Sequence, residues 1–151
     1  MKSEQATLGR TFILKFDHND DFLEELKAFI KQNQIKAGTI QLLGALKKAG
    51  IVTGPQKDEL PPTPIERQIQ DAHETVGFGT IFWQDDEPKI HIHASLGRDK
   101  DTTIACIRKE TQVFIVIEAI LQEYKDTTAK RQPDNETGMS LLSFDDLPEP
   151  Y

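Results

Sequence analysis

The first clear pattern in the chain is Thr11-Phe12-Ile13-Leu14-Lys15-Phe16, a short apolar run rich in strand formers, which Asp17-His18-Asn19-Asp20-Asp21 ends with helix-capping residues. From Asp21 to Gln32, Phe22, Leu23, Leu26, Phe29 and Ile30 recur at helical spacing, while Glu24, Glu25, Lys27 and Lys31 occupy the other face. A strand leading into an amphipathic helix is predicted. Ile35 to Leu46 alternates imperfectly around Gly38 and Gly44, which predicts a strand bent near Gly44 and a second strand from Ala45 to Val52. Between Gly54 and Pro64, Pro55, Pro61, Pro62 and Pro64 remove ladder donors, so this stretch reads as a surface loop and the most mobile internal segment.

Glu74 to Trp83 reads as a strand interrupted by Gly77 and Gly79, Asp85-Asp86-Glu87-Pro88 as a turn, and Lys89 to Leu96 as the returning strand of a hairpin. Asp99-Lys100-Asp101 makes another polar turn, and Thr102 to Tyr124 contains Val113-Phe114-Ile115-Val116-Ile117, a β-branched run suited to a buried strand. The remainder is acidic and proline-bearing, as in Asp145-Asp146-Leu147-Pro148-Glu149-Pro150, and suits a frayed tail. One strand, one helix and then mostly strands joined by short polar turns make an α+β fold, a largely antiparallel curved sheet with flanking helices.

Length adds that 151 residues suffice for one core, with a tail at 1–8, a domain at 9–144 and an acidic tail at 145–151. No stretch approaches the roughly 20 apolar residues of a membrane span. Met1-Lys2-Ser3-Glu4-Gln5 lacks the apolar run of a secretory signal, and the single cysteine, Cys106, cannot form an intrachain disulfide; both point to the cytoplasm. Charge changes the picture of partners. Lys plus Arg total 18 against 25 Asp plus Glu, a net −7, the wrong sign for an affinity built on neutralising phosphates. Lys47-Lys48 and Lys130-Arg131 are basic pairs without interleaved aromatics and read as solvated surface.

Candidate chemistry centres on His91-Ile92-His93. On a strand, alternate side chains share a face, so both imidazoles can converge on one ligand. Imidazole suits zinc and neighbouring transition metals, whose sites need three or four protein ligands, with one position left to water when catalytic. Two histidines on a half-buried strand are equally well explained by hydrogen bonds to backbone or acidic neighbours. Further ligands must come from elsewhere: Cys106 offers a thiolate but reads more readily as a small buried hydrophobe. His73 and His18 read as surface residues, and Glu118, inside an apolar strand, either faces solvent or assists the histidines. Ser95 lacks a strand-turn-helix elbow and no glycine-rich phosphate loop is present, so no catalytic residue is assigned.

HIHASLGR, from His91 onward, resembles the signature of the plants and prokaryotes conserved (PPC) domain, in which an HxH strand is followed by a small residue, a hydrophobic one and a turn. GRTFILKF, FLEELKAFIKQNQI, IQLLGALKKAGI and NETGMSLLSF resemble that family's order and character, so the likeness extends from Gly9 to Phe144. The resemblance implies a homotrimer with a fold similar to acetolactate decarboxylase, and zinc held by the HxH histidines and a third histidine. Where the family carries Gly-Gly-His-hydrophobic, this chain reads Ala105-Cys106-Ile107-Arg108; aligned without gaps, Ile107 takes the third histidine's place, with Cys106 facing away. Plant relatives bind DNA through AT-hooks, and nothing here resembles one.

Three readings follow. The first is a non-enzymatic homotrimer that assembles or binds a protein or small-molecule partner, with a degenerate metal site. The second is a metal-binding protein or zinc-dependent enzyme using His91 and His93 with Cys106, Glu118 or His73. The third is a DNA-binding regulator, for which nucleic acid would have to be recognised without an AT-hook.

Overall fold

The structure, a computed structural model, describes residues 1–145. Eight strands and one helix run in the order β1 (Thr7–Asp17), α1 (Phe22–Gln32), β2 (Ala37–Pro55), β3 (Pro64–Ile69), β4 (His73–Gln84), β5 (Glu87–Arg98), β6 (Asp101–Lys125), β7 (Lys130–Pro133) and β8 (Ser140–Ser143). The expected α+β architecture and antiparallel curved sheet are present, with a single helix among the described residues rather than several. Among the described residues, no helix is long and apolar enough to cross a membrane.

The main sheet has the strand order β1-β6-β5-β4-β2-β3, and an additional β6–β2 pairing closes β2, β4, β5 and β6 into a ring. Closure satisfies strand edges that would otherwise be open to aggregation. The two longest strands make it possible. β2 runs for 19 residues and β6 for 25, long enough to bend and serve different neighbours at their two ends. The first half of β2 lies between β4 and β6, and its second half lies between β3 and β6.

The bend expected at Gly44 exists, but β2 passes through it as one strand instead of breaking into two. Gly44↔Ile117 and Ala45↔Phe114 are successive pairs, so β6 carries Ile115 and Val116 as extra residues. A Cβ at Gly44 would lie 2.2 Å from the Val116 carbonyl oxygen, and its φ of +140° favours glycine. Opposite it, Ile115 takes a φ of +63°, unusual for a β-branched residue, and its backbone N–H donates to His18 Nδ1 at 3.0 Å. His18 thus secures the bulge and does not reach the HxH strand.

Helix α1 starts where the sequence placed it. Asp21 caps it by accepting from the Glu24 N–H, and the buried Thr111 hydroxyl both accepts from the Leu23 N–H and donates to Asp21 Oδ1 at 2.6 Å. Its inner face, Phe22, Leu26 and Ile30, packs on the core with Ile40, Leu46, Ile81, Ile92, Ile117 and Leu121, all fully or nearly fully buried. Strands β3, β7 and β8 lie in stretches without a clear sequence pattern. The segment after Lys125, expected to fray, instead pairs Lys130–Pro133 with Ser140–Ser143. Most of the 145–151 tail lies outside the described residues.

One ion pair, between a buried carboxylate and a half-exposed guanidinium, ties the first strand to the last long one. Glu123, only 6% exposed, accepts from Arg10 Nε and Nη2, each at 2.8 Å, and from the Arg10 backbone N–H. The Arg10 hydrogen bond outweighs burial and holds the Glu123 carboxyl at about 2.

Two outcomes are expected. Gly44→Ala should destabilise the fold by roughly 2 kcal/mol or more in denaturant melts, since both the φ and the Val116 oxygen oppose it; an unchanged midpoint would remove the bulge from the account. Glu123→Gln should lose about 2 kcal/mol at neutral pH, allowing for the half-exposed Arg10. Because the folded carboxyl titrates below the unfolded one, that difference should be full above pH 4.5 and shrink as pH falls towards about 2.

Candidate metal centre

Two tight turns build the site. Strands β4 and β5 meet through Asp85-Asp86, with Gln84↔Glu87 closing the ladder, and β5 and β6 meet through Asp99-Lys100, with Arg98↔Asp101 closing it. Asp85 and Asp99 take φ values of 52° and 54°, a conformation that aspartate tolerates in turns. Once the closing pair is fixed, every pair behind it follows: His91 faces Thr80, His93 faces both Phe78 and Cys106, and Ile92 faces Ile107.

Directly opposed residues of an antiparallel pair share a face. Cys106 therefore lies on the histidine face and Ile107 on the core face, where it is 4% exposed and packed in the core cluster. This corrects the gapless registration, which gave the third-ligand place to Ile107 and turned Cys106 away. The turn length carried the missing signal: a two-residue turn at Asp99-Lys100 pairs His93 with Cys106 by counting alone.

His91 Nε2 and His93 Nε2 are 3.0 Å apart, and the ligand atoms of His91, His93 and Cys106 all lie within 4.8 Å of one another. Tetrahedral zinc with bonds of about 2.0–2.3 Å needs its ligand atoms about 3.3–3.7 Å apart, so small side-chain rotations would seat an ion. Two imidazoles and a thiol are a donor set suited to zinc, with one position left open. The residues present fit the group.

The electrostatics favour neutral imidazole and an unreactive thiol. Partial burial, then the charges of His93, Arg131 and Arg108, hold His91 below the ordinary histidine range, so its ring is unprotonated at neutral pH. Burial pushes the Cys106 thiol up, with Arg108 opposing weakly. A metal would have to displace that proton.

The other candidates sit elsewhere. Glu118 is exposed, pairs with Lys15 and Leu43, and is separated from β5 by β2 and β4. His73, at the start of β4, donates through Nδ1 to the Asp71 carbonyl at 2.6 Å. Ser95 is partly buried on the histidine face, opposite Ile104.

A groove of about 1020 Å3 opens beside the three ligands, walled by the second half of β2, by β3 and by the start of β6. A smaller one of about 470 Å3 lies on the other side of His91, towards α1 and β8. Sequence reasoning passed over Arg108 and read Arg131 as solvated surface; Arg131 is instead half-buried beside Thr80, because it belongs to a hairpin that carried no strand pattern.

At neutral pH, Cys106 should react with iodoacetamide at least roughly tenfold more slowly than free cysteine, as followed by mass spectrometry. Alkylation at the free rate would contradict both its burial and its raised proton affinity.

Known proteins share this fold. A metal-containing protein from Archaeoglobus fulgidus superposes with a TM-score of 0.83 at 22% identity, covering 95% of this chain and 99% of its own. A plant- and prokaryote-conserved (PPC) protein from Pyrococcus horikoshii gives 0.80 at 25% identity, over 97% and 100%. A protein from Bacteroides thetaiotaomicron, provisionally assigned to DNA binding, gives 0.76 at 15% identity, over 93% and 99%. A comparison with curated proteins finds no match. The Plants and Prokaryotes Conserved (PCC) domain matches residues 3–125, most of the length, and the chain belongs to that family.

Proposed function

We propose that this protein is a metal-binding domain that assembles with copies of itself and takes a ligand beside the metal. The convergence of His91, His93 and Cys106 at the end of an open groove carries the reading. His91 Nε2, His93 Nε2 and Cys106 Sγ would hold the ion, zinc being the metal that this donor set suits best. When bound, such an ion supplies a Lewis acid with one exchangeable position. His91, already unprotonated, needs no proton loss to bind, and the buried thiol of Cys106 makes binding favour higher pH. The metal-containing relative from Archaeoglobus fulgidus lends support.

Self-assembly rests on the same face of the sheet. The ladder pairs line up Ile13, Ile120, Gln41, Phe78 and His93 in one row and Lys15, Glu118, Leu43, Val76, Ser95 and Ile104 in the next. Within these rows Ile13, Leu43, Val76, Phe78, Ile104 and Ile120 are each at least 51% exposed, an apolar patch of the kind that marks interaction surfaces. A homotrimer, as the family resemblance implies, would cover it and bring the histidines to the interface. Duplex DNA is the weaker alternative: the net charge of −7 opposes it, whatever the provisional assignment of the Bacteroides relative.

Untagged protein should contain about one zinc or similar ion per chain, lost in His91→Ala/His93→Ala, and Cys106→Ser should weaken binding by more than the roughly 10–100-fold typical of an outer-sphere partner. Metal-free protein after loading with zinc would end the metal reading. Light scattering should give about three times 17.1 kDa, and Phe78→Glu/Ile120→Glu should reduce it towards one. A monomeric wild type would end the assembly reading.

A further inference from the structure

The groove beside the metal ligands combines hydrocarbon walls with an uncompensated cationic rim. Val52, Ile104 and Met139 line it with apolar surface. Arg67, Arg108 and Lys109 line it against one carboxylate, Glu66, the reverse of a chain with 18 basic and 25 acidic residues. Some cations elsewhere, Lys15, Lys27, Lys31, Lys48, Arg98 and Lys130, each pair with a carboxylate, while others such as Lys36 and Lys89 pair with none among the described residues. Among the described residues, Arg67, Arg108, Lys109 and Arg131 have no carboxylate within ion-pair distance.

Two of these guanidinium groups belong to the histidine end. Arg131 reaches over from β7 and donates to Thr80 Oγ1 at 3.1 Å and to the Ser140 carbonyl at 3.3 Å, and Thr80 is the ladder partner of His91. Arg108 and His91 line both the larger and the smaller cavity. A guanidinium carries five N–H donors, so the two neutral acceptors of Arg131 leave donors to spare, and Arg108 has all of its own.

We propose that the groove binds a small carboxylate with an apolar body, its head held by Arg108 beside His91 and its tail laid on Val52 and Ile104. The planar fork of the guanidinium matches a carboxylate in two-point contact, and the sparsely polar walls suit hydrocarbon better than a sugar or a base. The proposal deepens the metal-centre reading and rests on it only for a carboxylate oxygen that would complete the ion's fourth position; Arg108 recognises the head without metal.

Octanoate, octan-1-ol and octylammonium, which share a tail and differ in the head, test it by calorimetry on protein prepared with and without zinc. Octanoate should bind at least about tenfold more tightly than the alcohol, and the ammonium most weakly. Arg108→Gln, an exposed position whose melting curve should match wild type, should bring octanoate to within about twofold of the alcohol, whereas Arg108→Lys should keep part of the preference. Equal affinity for the three heads, or a preference that survives Arg108→Gln, overturns the proposal. Octanoate preference in protein that never takes up zinc would defeat the metal centre and leave this proposal standing; zinc uptake without head-group preference would do the opposite.

Discussion

The pairing of β2 with β6 is the constraint on which the molecule depends. Without it, the remaining strands would form an open meander with two exposed edges; with it, β2, β4, β5 and β6 form a ring that encloses Ile40, Leu46, Ile81, Ile92, Ile117 and Leu121. Both strands must be long and must bend to make the closure. The bulge at Gly44 and Ile115 allows this, and its unfavourable backbone geometry at Ile115 is offset by the surrounding ladder and by the His18 contact.

The ring also decides which residues can meet. One face of β5 carries Ile92, Ala94 and Leu96 inward, and the other carries His91 and His93 outward, where the neighbouring strands bring Thr80, Phe78 and Cys106 alongside. Core and site are therefore two readings of one alternation. The same register places the apolar surface next to the histidines, so assembly and ligand binding share a single side of the sheet.

Much of this was legible in the residues. The helix over 22–32 follows from its apolar spacing and its Asp21 cap, the two hairpins from their acidic turns, and the shared face of His91 and His93 from strand parity. Three things were not. The β2–β6 closure is a long-range pairing with no local signature. Strands β3, β7 and β8 are short and sit at edges, where Pro64, Pro133 and polar residues suffice because only one side needs ladder partners. Cys106 was misplaced for a different reason: a gapless registration on family spacing was used where the two-residue turn at Asp99-Lys100 itself fixes the pairing.

That hairpin gives the site a form of insurance. All three donors lie within one β5–β6 unit, so the geometry of the centre is written into a short contiguous segment rather than distributed over the fold. A one-residue slip that withdrew Cys106 would also drive Ile107 out of the core and polar neighbours into it, at a cost the folded state could not bear. The stability of the interior thus fixes the geometry of the exterior, whether or not a metal is bound.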